Sequence, residues 1–312
     1  MTIETTIEET RAQQRERVIN GQGFIAALDQ SGGSTPKALA AYGVDESAWT
    51  NTDEMFDLVH AMRTRLITSD AFADGRIIGA ILFQQTMDRL VDSIPTAQYL
   101  WERVGIVPFV KCDAGLAERN DGVQLLAPNP GLFDLLDRAN AAGIYGTKMR
   151  SVIHEANAAG IEAIVAQQFE VGAAILDAGL MPIIEPEVSI GAPDKAEAEV
   201  LLADALHRHL DDLGERSVMF KLTLPEQPDL YQRFTEHPRV DRVVALSGGY
   251  DLVESCSRLR NAVGMTASFS RVLMTGLTAE LDDAAFEARL SETVAAIHDA
   301  STNKIASNGH TA

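Results

Sequence analysis

Residues 181–223 read MPIIEPEVSIGAPDKAEAEVLLADALHRHLDDLGERSVMFKLT: a short apolar run, a longer stretch with apolar residues three and four apart, then a second apolar run. A strand, an amphipathic helix and another strand account for that order, because side chains repeat every two residues along a strand and every 3.6 around a helix. The alternation continues in both directions. Runs like Met181–Glu187 and Ser217–Thr223 recur at Phe24–Asp29, Ile77–Phe83, Val107–Asp113, Tyr145–Arg150, Val243–Gly248 and Gly264–Ser270. Helical spacing fills Thr52–Ile67, Pro130–Ala142, Ile161–Ala178, Lys195–Leu213, Asp251–Ala262 and Asp282–His298. This pattern, with no Pro- or Gly-rich linker, predicts an α/β fold: a single parallel (β/α)8 TIM barrel over residues 1–312. A helix at about Ile7–Ile19, within an extension over residues 1–22, is expected to cover the barrel floor, and residues 299–312 to form a flexible tail. The rival fold, an open doubly wound sheet, needs a dinucleotide-binding loop after its first strand. The Asp-Gln-Ser-Gly-Gly-Ser sequence at 29–34 is not that fingerprint.

The formal charge of −19 argues against nucleic acid or an anionic membrane as partner, since both demand excess Lys and Arg. Met1–Asn20 is polar and has no apolar run, unlike a signal peptide or a spanning helix, so a cytoplasmic protein is expected. Cys112 and Cys256 are too few for a disulfide framework and sit in apolar contexts suited to buried thiols. The sequence sets no oligomeric state, and a homo-oligomer is compatible with it.

Barrel enzymes carry their chemistry at the C-terminal ends of the strands. Asp29, Lys111, Asp113, Lys148, Arg150, Glu185, Glu187, Lys221, Ser247, Ser268 and Arg271 all fall at such ends. Of the chain's lysines (37, 111, 148, 195, 221 and 304), Lys111, Lys148 and Lys221 lie inside predicted strands. Any one of them could snorkel to solvent, but three facing two glutamates point to a pocket. A nucleophilic lysine must shed its proton, for which Lys148 and Arg150 are expected to supply cationic neighbours to Lys221. Glu185 and Glu187 offer the carboxylates that imine chemistry needs to move protons. Ser247-Gly248-Gly249 and Ser268-Phe269-Ser270-Arg271 are each read as ending a strand and opening a helix, a phosphate-site pattern. In that reading Arg271 opposes the helix dipole unless an anion lies there. Ser31-Gly32-Gly33-Ser34 with Lys37 is a second candidate, and two phosphate sites at opposite rims imply a substrate phosphorylated at both ends. No histidine ends a strand, so no metal site is expected.

On these motifs the chain, from about Gly21 to Leu277, resembles the class I fructose-bisphosphate aldolases, particularly their shorter bacterial branch. The resemblance runs through Leu28–Ser34 (LDQSGGS), Val110–Asp113 (VKCD), Lys148–Arg150 (KMR), Ile184–Glu187 (IEPE), Phe220–Leu222 (FKL), Leu246–Gly249 (LSGG) and Ser268–Arg271 (SFSR), in the family's order. It implies that Lys221 forms the imine, Glu185 and Glu187 carry protons, and Asp29 with Lys148 acts at the hydroxyl whose deprotonation breaks the carbon–carbon bond. It further implies that Ser247, Gly248, Ser270 and Arg271 hold the ketose-side phosphate, and Ser31, Ser34, Lys37, Lys111 and Arg150 the far one. No cofactor is implied; the partners are small sugar phosphates. Animal members have an acidic residue where Gln30 stands, an arginine where Ala38 stands and a C-terminal tyrosine, whereas this chain has none after Tyr250. The alternatives are another Schiff-base sugar-phosphate aldolase or transaldolase, or a silent sugar-phosphate-binding barrel.

Overall fold

The structure, a computed structural model, describes residues 3–305. Eight parallel strands form the barrel in chain order: β1 Phe24–Leu28, β2 Ile77–Leu82, β3 Val107–Lys111, β4 Gly146–Ile153, β5 Met181–Val188, β6 Val218–Thr223, β7 Val240–Leu246 and β8 Thr266–Ala267. The Ala27 N–H donates to the Phe269 carbonyl at 3.1 Å, drawing the last strand's exit to the first. Each run predicted from sequence yields a strand, since residues enclosed on both faces select continuous Val, Ile, Leu and Ala.

The larger helices are α1 Ile3–Asn20, α2 Ser34–Ala41, α3 Thr52–Ile67, α4 Leu132–Ala141, α5 Ala158–Asp177, α6 Lys195–Leu210, α7 Leu252–Asn261 and α8 Asp283–Thr302. Asn51, Asn157, Asp251 and Asp282 cap α3, α5, α7 and α8 by accepting from backbone N–H groups that have no partner within the helix. Helix α5 is long and apolar enough to span a membrane by composition, yet it packs as a core helix against β5 and α6, burying Ile161, Ile164, Val165 and Ile175. Helix α1 lies across the N-terminal end of the barrel, as expected: Val18 joins the inner cluster of Ile25, Ala27, Val107, Phe109, Ile183, Met219 and Val244.

Three expectations need correction. Helix α8 runs to Thr302, past the predicted start of the tail at 299, because Ala300 and Ser301 are buried and the Ser301 hydroxyl accepts from the Ala267 N–H of β8. The rest of the predicted tail, 306–312, lies outside the described residues. Nor does a helix open at Arg271: residues 271–277 form consecutive turns with bonds from Met274 N to Arg271 O and from Thr275 N to Val272 O. The dipole argument for Arg271 therefore falls. Similarly, Gly248-Gly249 makes a turn and α7 begins only after Asp251.

Candidate active site

Strand parity places the site. Ile25 and Ala27, Val107 and Phe109, Ile183, and Met219 point into the barrel. Two-residue alternation then carries Asp29, Lys111, Glu185, Glu187 and Lys221 inward at the C-terminal mouth. There they line a cavity of about 880 Å³ that also takes in Lys148, Arg150, Ser247, Gly248, Ser270 and Arg271, with Ser31, Ser34 and Lys37 at its rim. The structure thus gathers every site residue expected from sequence around one space.

At its base, the Lys221 Nζ lies 3.1 Å from Glu185 Oε1, and the Lys148 Nζ lies 3.0 Å from Glu185 Oε2 and 2.6 Å from Asp29 Oδ2. Lys148, Lys221, Glu185 and Asp29 are all buried. Burial works against the Lys148 charge, but Asp29, Glu185 and Asp113 outweigh it and hold the ammonium well above the usual lysine range. Burial likewise opposes the Asp29 charge, and Lys148, Lys221 and Lys111 overcome it, holding that carboxyl well below the usual range. The immediate neighbour of Lys221 is thus a carboxylate, not the cations expected from sequence. Arg150 turns instead to Glu187, 2.9 Å away. Burial raises the Glu187 carboxyl above its ordinary value, with Arg150 pulling it back.

The far rim is organised by Asp113, which received no role in the sequence reading. Its carboxylate accepts from Lys111 Nζ at 2.5 Å, from Gly115 N at 3.0 Å and from Arg150 N at 3.2 Å, fixing both cations to one loop. The Ser34 hydroxyl donates to the Ser31 carbonyl and accepts from the Ser31 N–H, closing the loop before α2. On the opposite side Gly248 has φ +63°, and a Cβ there would lie 2.6 Å from Ile190, so only glycine suits this turn. The Arg271 guanidinium reaches the same turn: a Cβ on Gly249 would lie 3.8 Å from its Nη2. Ser268, read from sequence as a strand-end residue of the phosphate motif but given no individual role, lines the cavity with a buried hydroxyl that has no partner among the described residues. Its signal was parity, since Ser268 and Ser270 are two apart.

Arg63 was missed altogether. It sits on the buried stripe of α3 with Val59, Met62, Leu66 and Ile67, where arginine is rare. It donates to Thr86 and to Gln30, which lines the cavity. The histidines engage elsewhere: His60 meets the Leu90 carbonyl, His154 meets Gln124 and His209 meets Glu162. Among the described residues no three His, Cys, Asp or Glu side chains are placed to share a metal.

The sequence profile of "Fructose-bisphosphate aldolase class-I" matches residues 9–230. The chain is 54% identical over 294 residues to the "Fructose-bisphosphate aldolase class 1" of Synechocystis sp., covering 94% of this chain and 98% of that one. Among solved structures it is similar to the fructose-bisphosphate aldolase of Plasmodium falciparum, crystallised with TRAP and a small-molecule inhibitor, with a TM-score of 0.74, 20% identity and 96% of each chain covered. That likeness supports the barrel. With a family profile over most of its length and a full-length relative at that identity, the chain belongs to the class I fructose-bisphosphate aldolases.

Proposed function

We propose that the protein cleaves fructose 1,6-bisphosphate reversibly to dihydroxyacetone phosphate and glyceraldehyde 3-phosphate through an imine on Lys221, in the cytoplasm, without metal or cofactor. The observation that carries this reading is Glu185, held between Lys221 and Lys148 and 3.1 Å from the attacking amine. Glu185 takes the ammonium proton, and the freed Lys221 amine adds to the C2 carbonyl. Glu185 and Glu187 then return a proton to the carbinolamine hydroxyl, which leaves as water. The resulting iminium is an electron sink. Asp29 accepts the proton of the C4 hydroxyl while the Lys148 ammonium stabilises the developing alkoxide, so the ion pair at 2.6 Å is the functional unit. The C3–C4 bond breaks, its electron pair forms an enamine, and the aldehyde departs. Protonation at C3 by Glu187 and hydrolysis release the ketose product and restore Lys221.

Ser247, Gly248, Ser270 and Arg271 bind the ketose-side phosphate, and Ser31, Ser34, Lys37, Lys111 and Arg150 the far one. Two cationic groups on opposite sides of one mouth favour a bisphosphate over a transaldolase substrate. The test is cleavage of fructose 1,6-bisphosphate by protein treated exhaustively with EDTA: activity should survive, and a loss that zinc restores would contradict the reading.

A further inference from the structure

Arg63 poses a physical problem. It is 1% exposed, and the partners it donates to are neutral: Thr86 Oγ1 at 2.7 Å, the Gln30 carbonyl at 2.7 Å and Gln30 Oε1 at 3.2 Å. A buried cation without a bonded carboxylate costs stability, so its presence on the apolar face of α3 calls for another reason. Burial lowers its pKa to about 10, with the Asp29 carboxylate, not bonded to it, pulling it back up, so it remains charged at neutral pH.

Its geometry supplies that reason. A guanidinium only donates, so the amide atom of Gln30 that faces Arg63 must be the oxygen. The Gln30 NH2 is then directed at the Ser270 Oγ, 2.7 Å away. Having accepted that bond, the Ser270 hydroxyl keeps its single hydrogen for the cavity it lines beside Arg271. A flipped amide would instead take the serine's proton and turn lone pairs toward an anion.

We propose that Arg63 and Gln30 are positioning residues: Arg63 locks the amide of Gln30, and Gln30 locks Ser270 as a hydrogen-bond donor to the ketose-side phosphate. This rests on the reading that Ser270 and Arg271 bind that phosphate. The specificity affected is for the phosphate next to the ketone, which fructose 1-phosphate shares with fructose 1,6-bisphosphate.

The test is a double-mutant cycle on the full-length enzyme with fructose 1-phosphate as substrate, reading KM and kcat separately. Gln30→Met is expected to raise KM about two- to tenfold, the worth of one neutral hydrogen bond, with kcat little changed. In a Ser270→Ala background the same substitution should no longer move KM. Arg63→Lys, which keeps the charge but loses the fork, should raise KM less, and again only when Ser270 is present. The relay is overturned if Gln30→Met leaves KM unmoved, or raises it equally with and without Ser270, while Ser270→Ala and Arg271→Ala raise KM. If neither Ser270→Ala nor Arg271→Ala moves KM, the phosphate lies elsewhere and the relay falls with the reading beneath it.

Discussion

Glu187 and Arg271 show how single side chains can be tested. The Glu187 carboxyl is raised by burial, so the folded protein binds that proton more tightly than the unfolded chain does. Its stabilising contribution is present below the ordinary carboxylate pKa of about 4.3 and is lost as pH rises through the folded value. Glu187→Gln removes this titration. The difference in melting temperature from the wild type should therefore become more positive between about pH 4 and pH 8, followed by thermal unfolding; a difference independent of pH would contradict the burial argument. Arg271→Ala should raise KM for fructose 1,6-bisphosphate about 10- to 150-fold, the range for losing a charge-assisted bond to phosphate. An unchanged KM would place that phosphate elsewhere. These residues were legible because strand-end charges stand out from an apolar run. Arg63 was not, since one arginine inside a helical pattern looks like a solvent-facing residue until tertiary packing shows which stripe is buried.

At the scale of elements, the strands were legible because each is a continuous apolar run between polar segments. What sequence obscured were the places where tertiary bonds override local pattern. The Ser270–Gly276 stretch has helix-forming residues but forms tight turns ending at Gly276, φ +75°, and α8 gains an extra turn because Ser301 bonds to β8. The floor helix was legible as a helix, but the bonds that anchor it were not. Arg242 on β7 donates to the carbonyls of Val18, Ile19 and Gly21, using the acceptors that the end of α1 leaves without helical partners. Arg242→Met should therefore destabilise the fold by about 1–3 kcal/mol, since two half-buried carbonyls and one exposed one lose their donor, while leaving KM unchanged. Chemical denaturation with parallel kinetics checks both; a shift in KM would mean that floor and mouth are coupled.

Across the whole molecule, the barrel separates its tasks. One end is closed by α1 and the inner apolar cluster, while the other gathers cations and carboxylates from strands far apart in sequence around one cavity. The net charge of −19 makes that concentration of lysine and arginine the more specific, because it opposes the charge of the molecule as a whole. Of the three buried or half-buried lysines of the mouth, we propose Lys221 as the nucleophile: its one ion-pair partner among the described residues is Glu185, whereas Lys148 is pinned between Asp29 and Glu185 and Lys111 is held by Asp113. The most direct measurement is reduction with borohydride in the presence of dihydroxyacetone phosphate, followed by peptide mass mapping. Inactivation with a stable mass increment on the peptide containing Lys221, abolished in Lys221→Ala and retained in Lys148→Ala, is the predicted result; an adduct on Lys111 or Lys148, or full turnover by Lys221→Ala, would contradict it.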